Sequence, residues 1–266
     1  MIYAPPQKYN SMIHEPNDGK RVSSVKTSFK ILRCLQEMNG ATLTEVADTL
    51  GLHKSTAYVH LATLLDERLV VREENMYYVG LLFLNFGTKA RSDRTIYDKI
   101  KPKMHRLAKE TGERVQFMIE EHGRGIYVHR VRGETGIKAS NRIGVCRYLH
   151  SSAAGKAILA KYDRSEVDKI IERWGLPEQT QSTITDPDKL HEQLDQVQEQ
   201  GYAINKEEHI EGLWAIGAPV TDRHGNVLGS LSVSGPRQRV DDGKKVSDLR
   251  DQLLGIINET ELDIRN

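Results

Sequence analysis

Lys54, Ser55 and Thr56 stand together at the start of a segment whose apolar residues Ala57, Leu61, Leu64 and Leu65 recur every three to four positions. That spacing predicts a helix with one apolar stripe. Its first turn then offers an ammonium group, two hydroxyls and backbone N–H groups without intrahelical acceptors, a set suited to phosphate oxygens. Tyr58, Val59 and His60 lie off the stripe. They can face a nucleic-acid groove, where polar and methyl contacts distinguish base edges.

Other reactive residue types lack the company that catalysis needs. His150, Ser151 and Ser152 adjoin in sequence, but adjacency is not the geometry of a nucleophile and its base. Ala154-Gly155-Lys156-Ala157 is like the end of a phosphate-binding loop without its first glycine and without a hydroxyl after the lysine. Cys146 beside Arg147 has the setting of an activated thiol, and equally that of an inert cysteine. The two cysteines, Cys34 and Cys146, have no paired spacing, and the ten histidines form no metal-ligand pattern. No catalytic residue, metal or cofactor is expected.

The elements that position Lys54 to His60 follow from capping and periodicity. Val25, Phe29, Leu32 and Leu35 predict a first helix over 23–38, stopped by Asn39-Gly40. Thr42 with Glu45 three residues on is a capping box for a second helix, which Gly51 ends. The third helix spans 54–67. Residues 69–72 and 76–79 are β-prone runs around the polar turn 73–75, predicting a hairpin. Its Arg72 and Tyr77 are candidates for contacts to neighbouring phosphate or the minor groove. The whole set predicts a helix-turn-helix followed by a wing, and the same periodicity also fits a three-helix core with a solvated face.

Residues 81–90 predict a further helix, and 91–94 a polar break. Beyond it, helices are expected at 97–110, 151–161, 165–174, 187–200 and 241–262, with strands at 115–120, 125–132, 202–208, 215–220 and 227–233. Helices mixed with antiparallel strands make the fold class α+β. The expected organisation is a poorly ordered arm at 1–21, a winged helix-turn-helix at 22–80, a linker helix at 81–95 and a second domain at 96–266.

The 266 residues carry a net charge of +1, so nucleic-acid affinity must come from local charge such as Lys20, Arg21, Lys26, Lys30 and Arg33. At 38% hydrophobic and 28% charged, the composition is that of a globular chain. Cysteine usage, the lack of a membrane-length apolar run and the lack of a signal-peptide core predict a cytoplasmic protein.

Taken in order, Leu43-Thr44-Glu45-Val46-Ala47, Gly51-Leu52-His53-Lys54-Ser55-Thr56 and Leu61-Ala62-Thr63-Leu64 resemble the winged helix of IclR-family regulators. Tyr77-Tyr78-Val79-Gly80 is similar to that family's wing exit. The resemblance continues through residues 149–157, through Gly201-Tyr202-Ala203, Glu207-Glu208-His209, Gly212 and Ala218-Pro219-Val220, and through residues 229–236. It implies a GAF-like effector domain, homodimers or dimers of dimers, a palindromic double-stranded operator, no membrane partner, and a small organic-acid or aromatic-acid effector. The candidates for DNA contact are Thr44, Lys54, Ser55, Thr56, Tyr58, Val59, His60, Arg72 and Tyr77. The resemblance places effector contacts at Ala153, Ala154, Asn205, Leu213, Ala215, Ser232 and Ser234. The serines are two apart on a predicted strand and so share a face. Many family members carry cysteine at the position of Ala215 and an acid at that of Asn205, which changes the polarity of the implied pocket. Arg142 and Arg147 lie nearby as candidates to pair with an anion. Two other readings are a GAF-like small-ligand or nucleotide sensor and a hydrolase using His150 and Ser151. A pure sensor has no use for residues 24–90.

Overall fold

The computed structural model describes residues 20–137, 142–239 and 243–265. The chain divides into two compact units, residues 1–90 and 91–266. Of the arm expected over 1–21, residues 1–19 lie outside the described residues, as do 241 and 242 of the expected C-terminal helix.

In the first unit, helix α1 (Ser23–Glu37) is followed by a two-residue strand β1 (Ala41–Thr42), helices α2 (Leu43–Leu50) and α3 (Lys54–Asp66), and the hairpin β2 (Val70–Glu73) and β3 (Met76–Val79). The capping box forms: Thr42 Oγ1 accepts from Glu45 N, and Glu45 Oε2 accepts from Thr42 N at 2.7 Å. Gly51 ends α2 at φ 63°, a left-handed turn that costs glycine little. The buried stripe of α1 differs from the expected one. Ile31, Leu32 and Leu35 enter the core, whereas Val25 and Phe29 are exposed. The expected and observed stripes share Leu32 and Leu35, and only the packed neighbours decide where the face extends. Strand β1 was not expected. It pairs with β3, Ala41 opposite Tyr77, and closes the order β1-β3-β2.

Helix α4 (Phe83–Ser92) follows two residues later than expected at each end. In the second unit, helix α5 (Ile96–Thr111) leads into strands β4 (Arg114–Glu121), β5 (Arg124–Arg132) and β6 (Cys146–Arg147). Helices α6 (Ala153–Leu159), α7 (Arg164–Trp174) and α8 (Pro187–Gln200) come next. Strands β7 (Ala203–Lys206), β8 (Leu213–Thr221) and β9 (Val227–Pro236), a 3₁₀ turn at Arg237–Arg239 and helix α9 (Gly243–Arg265) complete it. Six strands make one antiparallel sheet in the order β6-β5-β4-β9-β8-β7.

Alternation along the strands gives this sheet two different faces. Val115, Phe117, Ile216, Leu231 and Val233 point to one side and pack with Ile100, Met104 and Leu107 of α5 and Leu253 of α9. On the other side α6 lies against β8, β9, β4 and β7. The approach is close enough to require glycine: a Cβ on Gly217 would come within 2.8 Å of Ala153 C and Ala154 N. Helix α6 starts two residues later than expected because Ser152 caps it, its side chain accepting from Gly155 N at 3.0 Å.

Lys156 of α6 is fully buried and donates to both carboxylate oxygens of Glu208 at 2.6 Å and to the Ile204 carbonyl at 2.8 Å. Burial pulls the ammonium's pKa down and Glu208 pulls it back up. Breaking such a pair strands a charge in the interior at a cost of about 3–5 kcal/mol. Lys156→Met should therefore lower the urea-unfolding free energy by roughly that amount, and Lys156→Met with Glu208→Leu should recover most of it. A single substitution costing under about 1 kcal/mol would mean the pair does not fasten α6.

Candidate nucleic-acid interface and ligand-facing sheet

The N-terminus of α3 is built differently from that of α2. His53 precedes it in an extended conformation and makes no side-chain capping bond, and the first turn holds no acidic residue. Its first N–H groups therefore keep their capacity for an outside acceptor. Lys54, Ser55, Thr56, Tyr58 and Val59 are all exposed. Tyr58 and Val59 are 56% and 62% exposed, large apolar side chains held outward by a helix whose Ala57, Leu61 and Leu64 are buried. Thr44 is exposed at the start of α2.

Three candidates need adjustment. His60 is half-buried and shares a 2.9 Å hydrogen bond with Ser28 Oγ, so its ring braces α3 on α1. Tyr77 is only 5% exposed and belongs to the core, because its strand position opposite Ala41 turns it inward. It is withdrawn from contact with DNA. Arg72 is exposed, but its guanidinium lies 5.5 Å over the Tyr77 ring and its Nε donates to Glu74 O at 2.7 Å, which fixes its direction.

In the second unit the positions implied for an effector share one side of the sheet. Ser234 pairs with Ala215, Ala215 with Asn205, and Leu213 with Pro236, and directly opposed residues project to the same face. Ser232 and Ser234 are buried there. Gln116 Nε2 donates to Ser234 Oγ at 3.2 Å. Asn205 Nδ2 donates to Ser151 O at 2.6 Å and its Oδ1 accepts from Glu208 N at 3.2 Å, so Asn205 joins β7 to the approach of α6. Ala153 and Ala154 sit over Gly217 on the same side. The first-turn N–H of Gly155 is occupied by the Ser152 cap. Arg142 is exposed, whereas Arg147 is half-buried on this face, opposite Gly125.

The same face holds residues that sequence reasoning missed. Arg114 pairs with Ser234, and Gln116 pairs with Arg130 and Ser232. The Arg130 guanidinium stacks 4.2 Å over the ring of Tyr127, which is itself buried. Burial and the neighbouring charges of Arg114 and Arg147 push the Arg130 pKa down to about 10. His209 is pushed down to about 4 by burial, then by Arg147, Arg130 and His150. The alternation Arg114-Val115-Gln116-Phe117 shows a two-sided strand, but alternation alone assigns its charged side to solvent, whereas Arg114 is buried.

The hydrolase reading does not match the geometry. His150 is buried and donates from Nε2 to Pro177 O at 3.2 Å, and burial holds its pKa down to about 4. Ser151 is buried and its carbonyl accepts the Asn205 amide. Lys156 is engaged by Glu208 and is not available as a phosphate-binding lysine. Among the described residues no group of three or more His, Cys, Asp or Glu is placed to hold a metal ion, and no helix is long and apolar enough to cross a membrane.

Comparison with known proteins bears on both units. The IclR helix-turn-helix domain model matches residues 24–74, and the model described as bacterial transcriptional regulator IclR C-terminal matches residues 88–265. The HTH-type transcriptional regulator KdgR of Escherichia coli (strain K12) is 34% identical over 220 residues, covering 82% of this chain and 84% of that protein. The crystal structure of the Thermotoga maritima IclR superposes with a TM-score of 0.76 at 26% identity, over 92% of this chain and 99% of that one. An IclR homologue from Microbacterium hydrocarbonoxydans, crystallised with 4-hydroxybenzoate, has a TM-score of 0.75 at 19% identity over 89% of this chain and 98% of that one, a likeness of fold.

Two substitutions on α3 separate phosphate from base contacts. Lys54→Gln should weaken operator and non-operator DNA alike and flatten the log affinity–log salt slope by about 1. Tyr58→Ala should leave that slope alone and change the ranking of operator base substitutions. Fluorescence anisotropy across a salt series reads both. An unchanged slope for Lys54→Gln, or an unchanged base ranking for Tyr58→Ala, would remove that side chain from its role.

Proposed function

The chain belongs to the IclR family of transcription regulators, and from that premise we propose that it is a DNA-binding regulator whose operator affinity is set by a small organic acid of a catabolic pathway. Residues 22–80 form the reading head, 81–95 the linker, and 96–266 the effector-binding and oligomerisation domain. The operator is palindromic, and two heads of a homodimer, or of a dimer of dimers, read its half-sites. Phosphate contacts from the open start of α3 supply affinity, and Tyr58, Val59 and their neighbours supply discrimination.

The observation that carries the effector reading is the buried polar face of the sheet. Ser232, Ser234 and Asn205 are polar side chains kept inside a domain next to α6, on strands whose other face is apolar. A few polar groups converging on one face in an otherwise apolar interior are the usual composition of a small-molecule site. That a homologue of the same fold holds 4-hydroxybenzoate supports an acid as the ligand class here.

Mobility-shift titration with the promoter of the protein's own or a neighbouring operon is the test. The expected result is a sequence-specific shift whose midpoint moves when the right acid is added, and a movement reduced at least about tenfold in acid sensitivity by Ser234→Ala, which removes one hydroxyl from the face. Failure to distinguish operator from random DNA at low salt, with and without a panel of acids, would sink the proposal.

A further inference from the structure

The arginines on the polar face call for more than a single carboxylate. Strand register makes Arg114 and Arg130 diagonal neighbours on β4 and β5, since Arg114 stands opposite Arg132 and Gln116 opposite Arg130. Diagonal positions are about 7–8 Å apart at Cα, close enough for two long side chains to reach one small molecule and far enough to hold its two ends. Arg147 joins them from β6. Arg114 is 7% exposed, so water does little to screen it.

Like charges collected in a poorly solvated place oppose folding. The fold does not demand them, because Gln116 and Met118 occupy the same face of β4 as neutral residues. The acid on that face of β4, Glu120, lies at the far end, where Tyr162 Oη donates to it at 2.8 Å and Gly123 N at 2.5 Å. Beyond burial, Arg130 is opposed first by the charge of Arg114, while Arg114 is favoured by the Tyr127 hydroxyl and then opposed by Arg147. One buried and two half-buried arginines on a single sheet face, beside hydroxyl and amide groups, are the arrangement expected of an anion site.

We propose that this face takes an acid with two anionic ends, a dicarboxylate or a phosphorylated carboxylic acid, with Arg114 and Arg130 each holding one of them. The inference rests on the reading of this face as the effector site and sharpens it. Ser232 and Ser234 address the uncharged middle of the ligand, and Arg147 adds to the field around it. Arg114 and Arg130 are then the residues that set specificity by charge number.

Thermal-shift and calorimetric titrations of the full chain at constant ionic strength test this with succinate, 3-phosphoglycerate and butyrate, and with sulfate against chloride as a general comparison of divalent and monovalent anions. Succinate or 3-phosphoglycerate should bind roughly tenfold to a hundredfold more tightly than butyrate, the loss expected for one charge-assisted contact. Which of the two binds better separates the dicarboxylate from the phosphorylated source. Sulfate should raise the wild-type melting temperature more than chloride does, by a margin that shrinks in Arg114→Gln and Arg130→Gln. Both variants should lose the preference for acids with two anionic ends, and Arg130→Lys should regain it. Far-UV circular dichroism of each variant checks that it is folded. Equal binding of butyrate and the two-ended acids, or a preference that survives in the glutamine variants, overturns the inference. If operator binding then still answers to a monoanion, the effector reading stands without it; if operator binding answers to no acid, both fall.

Discussion

The strict two-sidedness of the central sheet is the constraint on which the second unit depends. In β4 and β9 one set of alternate residues, Val115, Phe117, Leu231 and Val233, is fully buried against α5 and α9. The other set is Arg114, Gln116, Ser230, Ser232 and Ser234. A register slip of one residue would drive an arginine, a glutamine and three serines into the apolar core, so the pairing of β4 with β9 is strongly specified. Its consequence is a polar surface that α6, tied down through Lys156 and Glu208, turns into an interior. The recognition surface for a small molecule is thus a by-product of the fold's own alternation, tuned by which polar residues stand on it.

The first unit solves a simpler problem. A three-helix core and a small sheet hold α3 so that its uncapped end and the side chains of Tyr58 and Val59 face outward. Helix α2 is sealed by a capping box, whereas α3 is left open. The difference is one of local hydrogen bonding: Thr42 and Glu45 satisfy each other's backbone donors at the start of α2, and the residue before α3 makes no side-chain cap. An end that keeps its donors suits phosphate.

Much of this was legible from residue types. The capping box, the Gly51 turn, the α3 stripe and the wing hairpin each have a local physical cause, and they fall where periodicity and turn chemistry place them. The two-residue strands β1 and β6 were not legible, since two residues carry no periodicity and exist only through their partners β3 and β5. Tyr77 was expected outward, but its burial follows from β1, which was itself unseen. His60 was expected in the groove because its helical position lies off the stripe, and only the three-dimensional neighbour Ser28 reveals its bracing role. Arg114 and Arg130 escaped for a different reason. Arginine on alternate strand positions ordinarily marks a solvated face, and nothing local tells that α6 lies along that face.

Two sites in different units are linked: acid on the polar face changes the affinity of α3 for its operator. Linkage is reciprocal, so the factor by which the acid alters the operator Kd must equal the factor by which operator alters the acid Kd. Operator affinity measured by anisotropy at increasing acid, together with acid affinity measured by calorimetry with and without saturating operator, gives both factors. The account predicts equal factors distinct from one, of roughly 5–150-fold as is usual for such coupling. An acid that binds the polar face while leaving the operator Kd unchanged would contradict it.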